Sequence, residues 1–125
     1  MTLQEREARA CAIIDSMAQE LRAVSLYLHD NPELGLNEHK AVKAIHQFLE
    51  KQNFISQVGL TDIRELQTAL RADYRGNAKY KIAFLGEYDA LPELGHGCGH
   101  NLIAMMSLGA AVAFSQSAPQ DWGTT

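Results

Sequence analysis

The fold prediction for this sequence rests on one stretch, Gly86-Glu87-Tyr88-Asp89-Ala90-Leu91-Pro92-Glu93-Leu94-Gly95-His96-Gly97-Cys98-Gly99-His100-Asn101. It follows an apolar run, Ile82-Ala83-Phe84-Leu85, which predicts a central strand covered on both faces. It precedes an apolar segment, residues 102–114, which predicts a buried helix. Because α/β enzymes usually carry their sites at the carboxyl ends of strands, we expect an α/β domain with its site in this stretch.

Cys98 and His100 are residue types that bind zinc and similar divalent ions. Gly97 and Gly99 give the backbone the freedom to turn both side chains toward one point. The next helix is expected to be capped by Asn101, and its dipole would favour the thiolate form of Cys98. A Cys-x-His pair is weak evidence by itself, because a catalytic zinc ion takes about three protein ligands.

Three neighbours are candidates to complete or orient this site, namely Glu87, Asp89 and His96. Asp89 could accept the second N–H of a metal-bound histidine and so fix its ring, although Glu87 and Asp89 could equally form a solvated turn. A thiol nucleophile at Cys98 ranks lower, because a histidine two residues away seldom reaches the sulfur in a good line. The remaining histidines lie on or next to predicted helices and are expected to be structural: His29, His39 and His46.

Composition limits the class of protein. The 125 residues have the size of one ordinary domain, and 46% hydrophobic with 21% charged residues is typical of globular proteins. The net charge of −4 argues against nucleic acid and anionic lipid as partners. Two distant cysteines favour a reducing compartment, residues 1–15 lack a signal-peptide pattern, and residues 102–114 are too short to span a bilayer. We therefore expect a cytoplasmic protein.

The first part of the chain predicts two amphipathic helices. Thr2-Leu3-Gln4-Glu5 has the capping-box pattern, and the helix that it begins should end at Asn31-Pro32, because proline disfavours a helical residue before it. A second helix is expected after Asn37 as N-cap and should end near Asn53. The buried stripe of the first helix is predicted to be Cys11, Ile14, Met17, Leu21, Val24 and Leu28. That of the second is predicted to be Ala41, Val42, Ile45, Phe48 and Leu49.

The strands are expected in the middle of the chain. Residues 54–58 predict a short strand closed by Gly59, and residues 60–67 fit either a loop or a helical turn. Residues 68–74 and 79–85 predict an antiparallel pair joined by a tight turn. The small residues of the last helix should let it pack close to the sheet, and no closing element is expected in residues 115–125.

Three blocks of the sequence are similar to a known protein family. These blocks are Asn31-Pro32-Glu33-Leu34-Gly35, the run from Ile82 to Pro92, and Gly95-His96-Gly97-Cys98-Gly99-His100-Asn101. They resemble the N-terminal third of the amidohydrolase branch of the aminoacylase and glutamate-carboxypeptidase family of metallopeptidases. That branch includes hippurate hydrolase, the plant auxin-conjugate hydrolases and aminobenzoyl-glutamate hydrolase. The resemblance implies that residues 1–125 form the N-terminal portion of a three-layer αβα, zinc-exopeptidase-like catalytic domain with a mixed sheet.

The resemblance also implies site residues. Cys98 and His100 match the cysteine and histidine that bind the metal pair of this branch, and Asp89 matches the aspartate placed near that pair. Glu87 stands where other branches of the family carry a metal-binding histidine, so its role stays open, as does that of His96. The implied cofactors are two divalent metal ions in the complete site, with zinc or manganese expected.

The implied reaction is hydrolysis of an amide bond in an N-acyl amino acid or small peptide by a metal-activated water. In the family a glutamate base, another metal-binding glutamate and two more histidines follow the Cys-Gly-His block, and we expect none of them in this chain. The dimerisation domain through which full-length relatives form homodimers is expected to be absent too. We therefore expect part of a site and a poor catalyst. The alternative is a non-catalytic fragment or interaction module that retains the fold.

Overall fold

A computed structural model describes residues 1–61 and 65–125 of the chain. The fold is mixed α/β, as the sequence predicts, and its two sheets are small. In chain order, the elements of the described residues are α1 Leu3–Asp30, α2 His39–Lys51, β1 Ile55–Leu60, β2 Leu66–Asp73, β3 Tyr80–Ile82, α3 His100–Ser117 and β4 Trp122–Thr124. None of these helices is long and apolar enough to cross a membrane.

Helix α1 begins at the predicted capping box. The Thr2 amide donates to Glu5 Oε2 over 2.6 Å, and the Glu5 amide donates to Thr2 Oγ1 over 3.2 Å, so two otherwise unpaired N–H groups are satisfied. The helix ends at Asp30, next to the predicted stop. Met17 and Leu28 of the predicted stripe are buried, but Cys11 is exposed because it borders an open apolar groove between α1 and α3.

Helix α2 buries all five residues of its predicted apolar face. Its N-cap is Glu38, not Asn37. The cap acceptor comes from the preceding turn, because the Glu33 carboxylate accepts from the amides of Lys40, at 3.0 Å, and Ala41, at 2.8 Å. The side chain of Glu38 is thereby free for contacts elsewhere.

The predicted pairing of residues 68–74 with residues 79–85 is wrong. Strand β2 pairs antiparallel with β1, and β3 pairs parallel with β4, which lies in the segment where no closing element is expected. Tyr74 exchanges backbone hydrogen bonds of 2.8 and 2.9 Å with Thr124, so β4 lies between the end of β2 and β3. Gly123 permits this insertion, because a Cβ there would overlap the Arg75 carbonyl oxygen. Of the segment 60–67, residues 62–64 lie outside the described residues.

The apolar run at residues 82–85 is not a central strand covered on both faces. Strand β3 ends at Ile82, and Leu85 is 89% exposed. The core lies mainly among the helices instead. Gly109 of α3 faces α1, because a Cβ at this position would lie 3.2 Å from Ile14 and 3.3 Å from Leu21. The small residue at position 109 therefore brings two helices together, whereas the sequence pattern predicted close packing on the sheet.

Candidate active site

His100 is the first residue of α3, and both of its ring nitrogens face carboxylates. Its Nδ1 lies 2.8 Å from Asp89 Oδ1 and 3.0 Å from the Asp89 carbonyl oxygen. Its Nε2 lies 3.1 Å from Glu87 Oε2. The preceding residue, Gly99, is the N-cap with φ +81°, a left-handed conformation that favours glycine, so the predicted cap at Asn101 is wrong.

The two carboxylates restrict which forms of the His100 ring can satisfy both contacts. A neutral imidazole has one N–H and can donate to only one of the two carboxylates. The contacts with Asp89 and Glu87 are both satisfied if the imidazole is charged and has an N–H at each nitrogen. They are also satisfied if a cation takes the place of the proton at Nε2. The Nδ1 contact with Asp89 is the carboxylate–histidine arrangement that orients metal-binding rings in proteins. The site therefore presents an oriented nitrogen beside a carboxylate oxygen.

The segment between residues 86 and 90 is held by contacts that are distant in sequence. The Tyr88 hydroxyl donates to the Thr68 carbonyl oxygen of β2 over 2.5 Å, and the Ala90 amide donates to the Glu33 carbonyl oxygen over 2.7 Å. Burial, with a smaller contribution from the Glu38 charge, raises the pKa of Tyr88 to about 12. Sequence reasoning missed these anchors, and their one signal was the Asn31-Pro32-Glu33-Leu34-Gly35 block, which supplies Glu33.

Cys98 is exposed and lies in a loop with local hydrogen bonds. Leu91 and Gly95 bond to each other's carbonyl groups at 2.8 and 3.1 Å, and the Gly99 amide donates to the His96 carbonyl oxygen at 3.1 Å. In the part of the chain that the structure describes, no three His, Cys, Asp or Glu side chains are placed to hold one metal ion together. The structure thus joins His100 with Asp89 and Glu87, and it does not join Cys98 to them.

His96 lies beside this cluster. Partial burial, followed by the nearby positive charges of His100 and His29, lowers its pKa, while the Asp89 charge and a Leu28 backbone hydrogen bond act in the opposite direction. Its Nδ1 is buried with no hydrogen-bond partner in residues 1–61 and 65–125. Among the other histidines, His46 has the structural contacts expected of it, at 2.9 Å from Ser56 and 3.3 Å from Glu50.

The donor set fits a divalent ion in its chemistry. Nε2 of His100, a carboxylate oxygen of Glu87 and the thiol of Cys98 are ligand types of zinc and related ions. Asp89 already holds the His100 ring by its other nitrogen. One donor of the predicted pair is therefore oriented, while the second, Cys98, extends from an exposed loop.

Comparisons with known proteins identify relatives of the chain, although no protein-family model matches it. It is 38% identical over 116 residues to Xaa-Arg dipeptidase of Mus musculus, an alignment that covers 88% of this chain and 27% of the dipeptidase. It is 34% identical over 121 residues to N-acetyldiaminopimelate deacetylase of Oenococcus oeni, and this alignment covers 82% of this chain and 31% of the deacetylase. It is 29% identical over 117 residues to a p-aminobenzoyl-glutamate hydrolase polypeptide of Escherichia coli, and this alignment covers 80% of this chain and 24% of the hydrolase polypeptide.

These alignments place the chain among the relatives of hydrolases. In particular, it is a homologue of enzymes in the amidohydrolase branch of the aminoacylase and glutamate-carboxypeptidase family, which confirms the resemblance found in the sequence. The chain spans about a quarter of the length of the mouse dipeptidase, 27%.

Proposed function

We propose that this chain is the N-terminal portion of the catalytic domain of a metal-dependent amidohydrolase. Its substrate would be an N-acyl amino acid or a small peptide. The relatives support this class, because their names describe a dipeptidase, a deacetylase and an aminobenzoyl-glutamate hydrolase. The observation that carries the proposal is the His100 ring held between Asp89 and Glu87.

Each residue of the cluster has a proposed role. Asp89 accepts from Nδ1 of His100 and fixes the ring, so that Nε2 is presented as a metal ligand. Cys98 would supply a thiolate ligand from its exposed loop. Two divalent ions, with zinc or manganese expected, would provide an activated water and polarise the substrate carbonyl. Glu87 contributes negative charge beside Nε2, which attracts a cation to this position.

The rest of the proposal concerns the whole enzyme. The remaining ligands and the glutamate base would come from sequence other than residues 1–125, as would the dimerisation domain of a homodimer. The strands described above would then belong to a larger mixed sheet in a three-layer αβα domain. We propose a cytoplasmic location on the cysteine usage of the sequence.

The experiment is a cobalt(II) titration of the chain followed by calorimetry and absorption. Wild type should bind cobalt(II) and show a thiolate charge-transfer band, which Cys98→Ser removes. Asp89→Asn keeps the shape of the side chain but weakens its hold on Nδ1, and loss of such a partner typically costs roughly 10–100-fold in metal affinity. Asp15→Asn, at an exposed position of α1, is the control and should bind as wild type does. Equal affinity of the Asp89→Asn and Asp15→Asn variants would overturn the role of Asp89.

The geometry does not favour the thiol-nucleophile alternative. A general base for Cys98 would need an accessible ring nitrogen, but His100 has both of its nitrogens beside carboxylates, and the Nδ1 of His96 is buried while Cys98 is exposed. A non-catalytic module would show no specific metal binding, so the same titration distinguishes it. If wild type binds no cobalt(II) above the level of the His100→Ala variant, the proposed metal role of this chain is wrong.

A further inference from the structure

Next to the cluster of His100 lies a second set of three polar residues, namely the buried Glu38 and Thr68 and the partly buried Tyr88. Glu38 is 9% exposed and Thr68 is 5% exposed. Glu38 Oε2 accepts from the Thr68 hydroxyl over 2.5 Å, and Glu38 Oε1 accepts from the Leu36 amide over 3.0 Å. The Tyr88 hydroxyl donates to the carbonyl oxygen of the same Thr68 over 2.5 Å. These bonds connect the beginning of α2, strand β2 and the segment that carries the candidate site.

A buried carboxylate is costly unless hydrogen bonds replace its hydration, and Glu38 has one donor on each oxygen. Tyr88 likewise requires a partner for its hydroxyl where its ring is enclosed. The Thr68 carbonyl oxygen meets this requirement. The Thr68 hydroxyl is thus held by the Glu38 carboxylate and the Thr68 main-chain carbonyl by the Tyr88 hydroxyl, and these two bonds at one residue of β2 make the segment at Tyr88 hard to displace.

The position of Tyr88 in the sequence connects this set of residues to the candidate site. Tyr88 lies between Glu87 and Asp89, whose carboxylates both contact His100. The three successive side chains thus reach partners on different sides of the backbone. Fixing the tyrosine hydroxyl against β2 consequently fixes the backbone from which the two carboxylates extend.

We propose that Tyr88 is a positioning residue, which holds Glu87 and Asp89 against the two ring nitrogens of His100 through its hydrogen bond to Thr68. The metal-related part of this proposal rests on the proposed function, because it concerns a ligand of the same site. The hydrogen bond between Ala90 and Glu33 restrains the segment from the other side. Removing the Tyr88 hydroxyl should therefore loosen the carboxylates without detaching the segment.

The variant Tyr88→Phe deletes only the hydroxyl and keeps the ring. Its matched control is Tyr27→Phe on α1, where the side chain is 44% exposed. The first readout is the proton–nitrogen correlation spectrum of the His100 ring in the metal-free chain, with the signals assigned by their loss in His100→Gln. The second is the Kd for zinc alone. We expect Tyr88→Phe to shift the His100 ring signals and to weaken zinc binding about 3–10-fold, below the range for direct loss of an orienting partner. Tyr27→Phe should change neither, and circular dichroism should be unchanged in both.

The variant Glu38→Gln tests the far end of this set of residues independently. It removes the charge and keeps one acceptor oxygen, which can serve the Thr68 hydroxyl while the NH2 group faces the Leu36 amide, so the His100 signals should shift in the same direction and by less. The proposal is overturned if Tyr88→Phe leaves both the His100 ring signals and the zinc Kd as in wild type. If Glu38→Gln alone leaves them unchanged, the contribution of Glu38 is wrong.

The two readouts separate this inference from the proposed function. If wild type binds no zinc while Tyr88→Phe still shifts the His100 ring signals, the metal role is wrong and the positioning role stands. If wild type binds zinc and Tyr88→Phe differs from it in neither readout, the positioning role is wrong and the metal role stands.

Discussion

The two halves of the glycine-rich stretch differ in what holds them. Residues 86–90, the anchored half, bond to partners elsewhere in the chain, through Tyr88 to Thr68 and through Ala90 to Glu33. Residues 91–99, the loop half, are held mainly by hydrogen bonds among themselves, such as the mutual pair of Leu91 and Gly95, with His96 also bonded to the Leu28 backbone. The anchored half carries Asp89, in contact with His100, and the loop half carries the exposed Cys98.

This difference bears on how each candidate ligand would bind a metal. A side chain held in place by packing and hydrogen bonds loses little conformational freedom when a ligand arrives, whereas a side chain on an exposed loop must be ordered first. The His100 ring is held by Asp89, whereas Cys98 is exposed. The two ligands predicted from one short motif should therefore differ in their energetic contributions.

The largest effect on zinc binding is expected from substitution of His100. We expect His100→Ala to weaken zinc binding by roughly 100-fold or more, beyond the ~10–100-fold typical of an orienting partner. Cys98→Ala should cost less, about 10-fold, because ordering its exposed loop offsets part of the gain from the thiolate ligand. Calorimetric titration of both variants measures the difference. Equal losses of zinc affinity, or a larger loss for Cys98→Ala, would show that His100 does not contribute more to zinc binding than Cys98.

A smaller effect concerns stability. Glu33→Ala removes the carboxylate that accepts from the amides of Lys40 and Ala41 at the start of α2, and loss of such a cap costs about 1 kcal/mol. Glu93→Ala, at an exposed position of the loop half, should change the free energy of unfolding by less than about 0.5 kcal/mol. Urea denaturation of the two variants and wild type provides the measurement. If both variants lose the same stability, the Glu33 carboxylate does not contribute a helix cap at the start of α2.

A third effect appears only in alkali. Burial first, and the Glu38 charge second, raise the pKa of Tyr88 from 10.0 to about 12 in the folded chain. The folded state therefore favours the neutral phenol, and the stability linked to this group is complete below pH 10 and is lost as the pH rises toward 12. Tyr88→Phe should lose less stability over this interval than wild type, and every other titrating group is common to both chains. Parallel losses would show that the Tyr88 hydroxyl ionises without this linkage.

Much of the helical structure could be predicted from the sequence, because its signals are local. The capping box at Thr2 and the apolar face of α2 depend on residues a few positions apart, and both predictions are confirmed. The strand pairing could not be predicted in the same way. The turn after Tyr74 favours a hairpin locally, but β4 provides a competing partner from the other end of the chain, and Gly123 lets it fit. The predicted N-cap of α2 at Asn37 failed for a similar reason, since the acceptor comes from Glu33, outside the helix.

For the candidate site, the sequence by itself determined the chemistry of the donors and the family to which the chain is related. Cys98, His100 and Asp89 were recognisable because ligand types and glycines are written into one continuous motif. Only the tertiary structure decided that Asp89 and Glu87 take opposite nitrogens of one ring, and that Tyr88 is held by Thr68 behind them. The physical reason is that orientation depends on partners distant in sequence, and local patterns carry no information about which of these partners will meet.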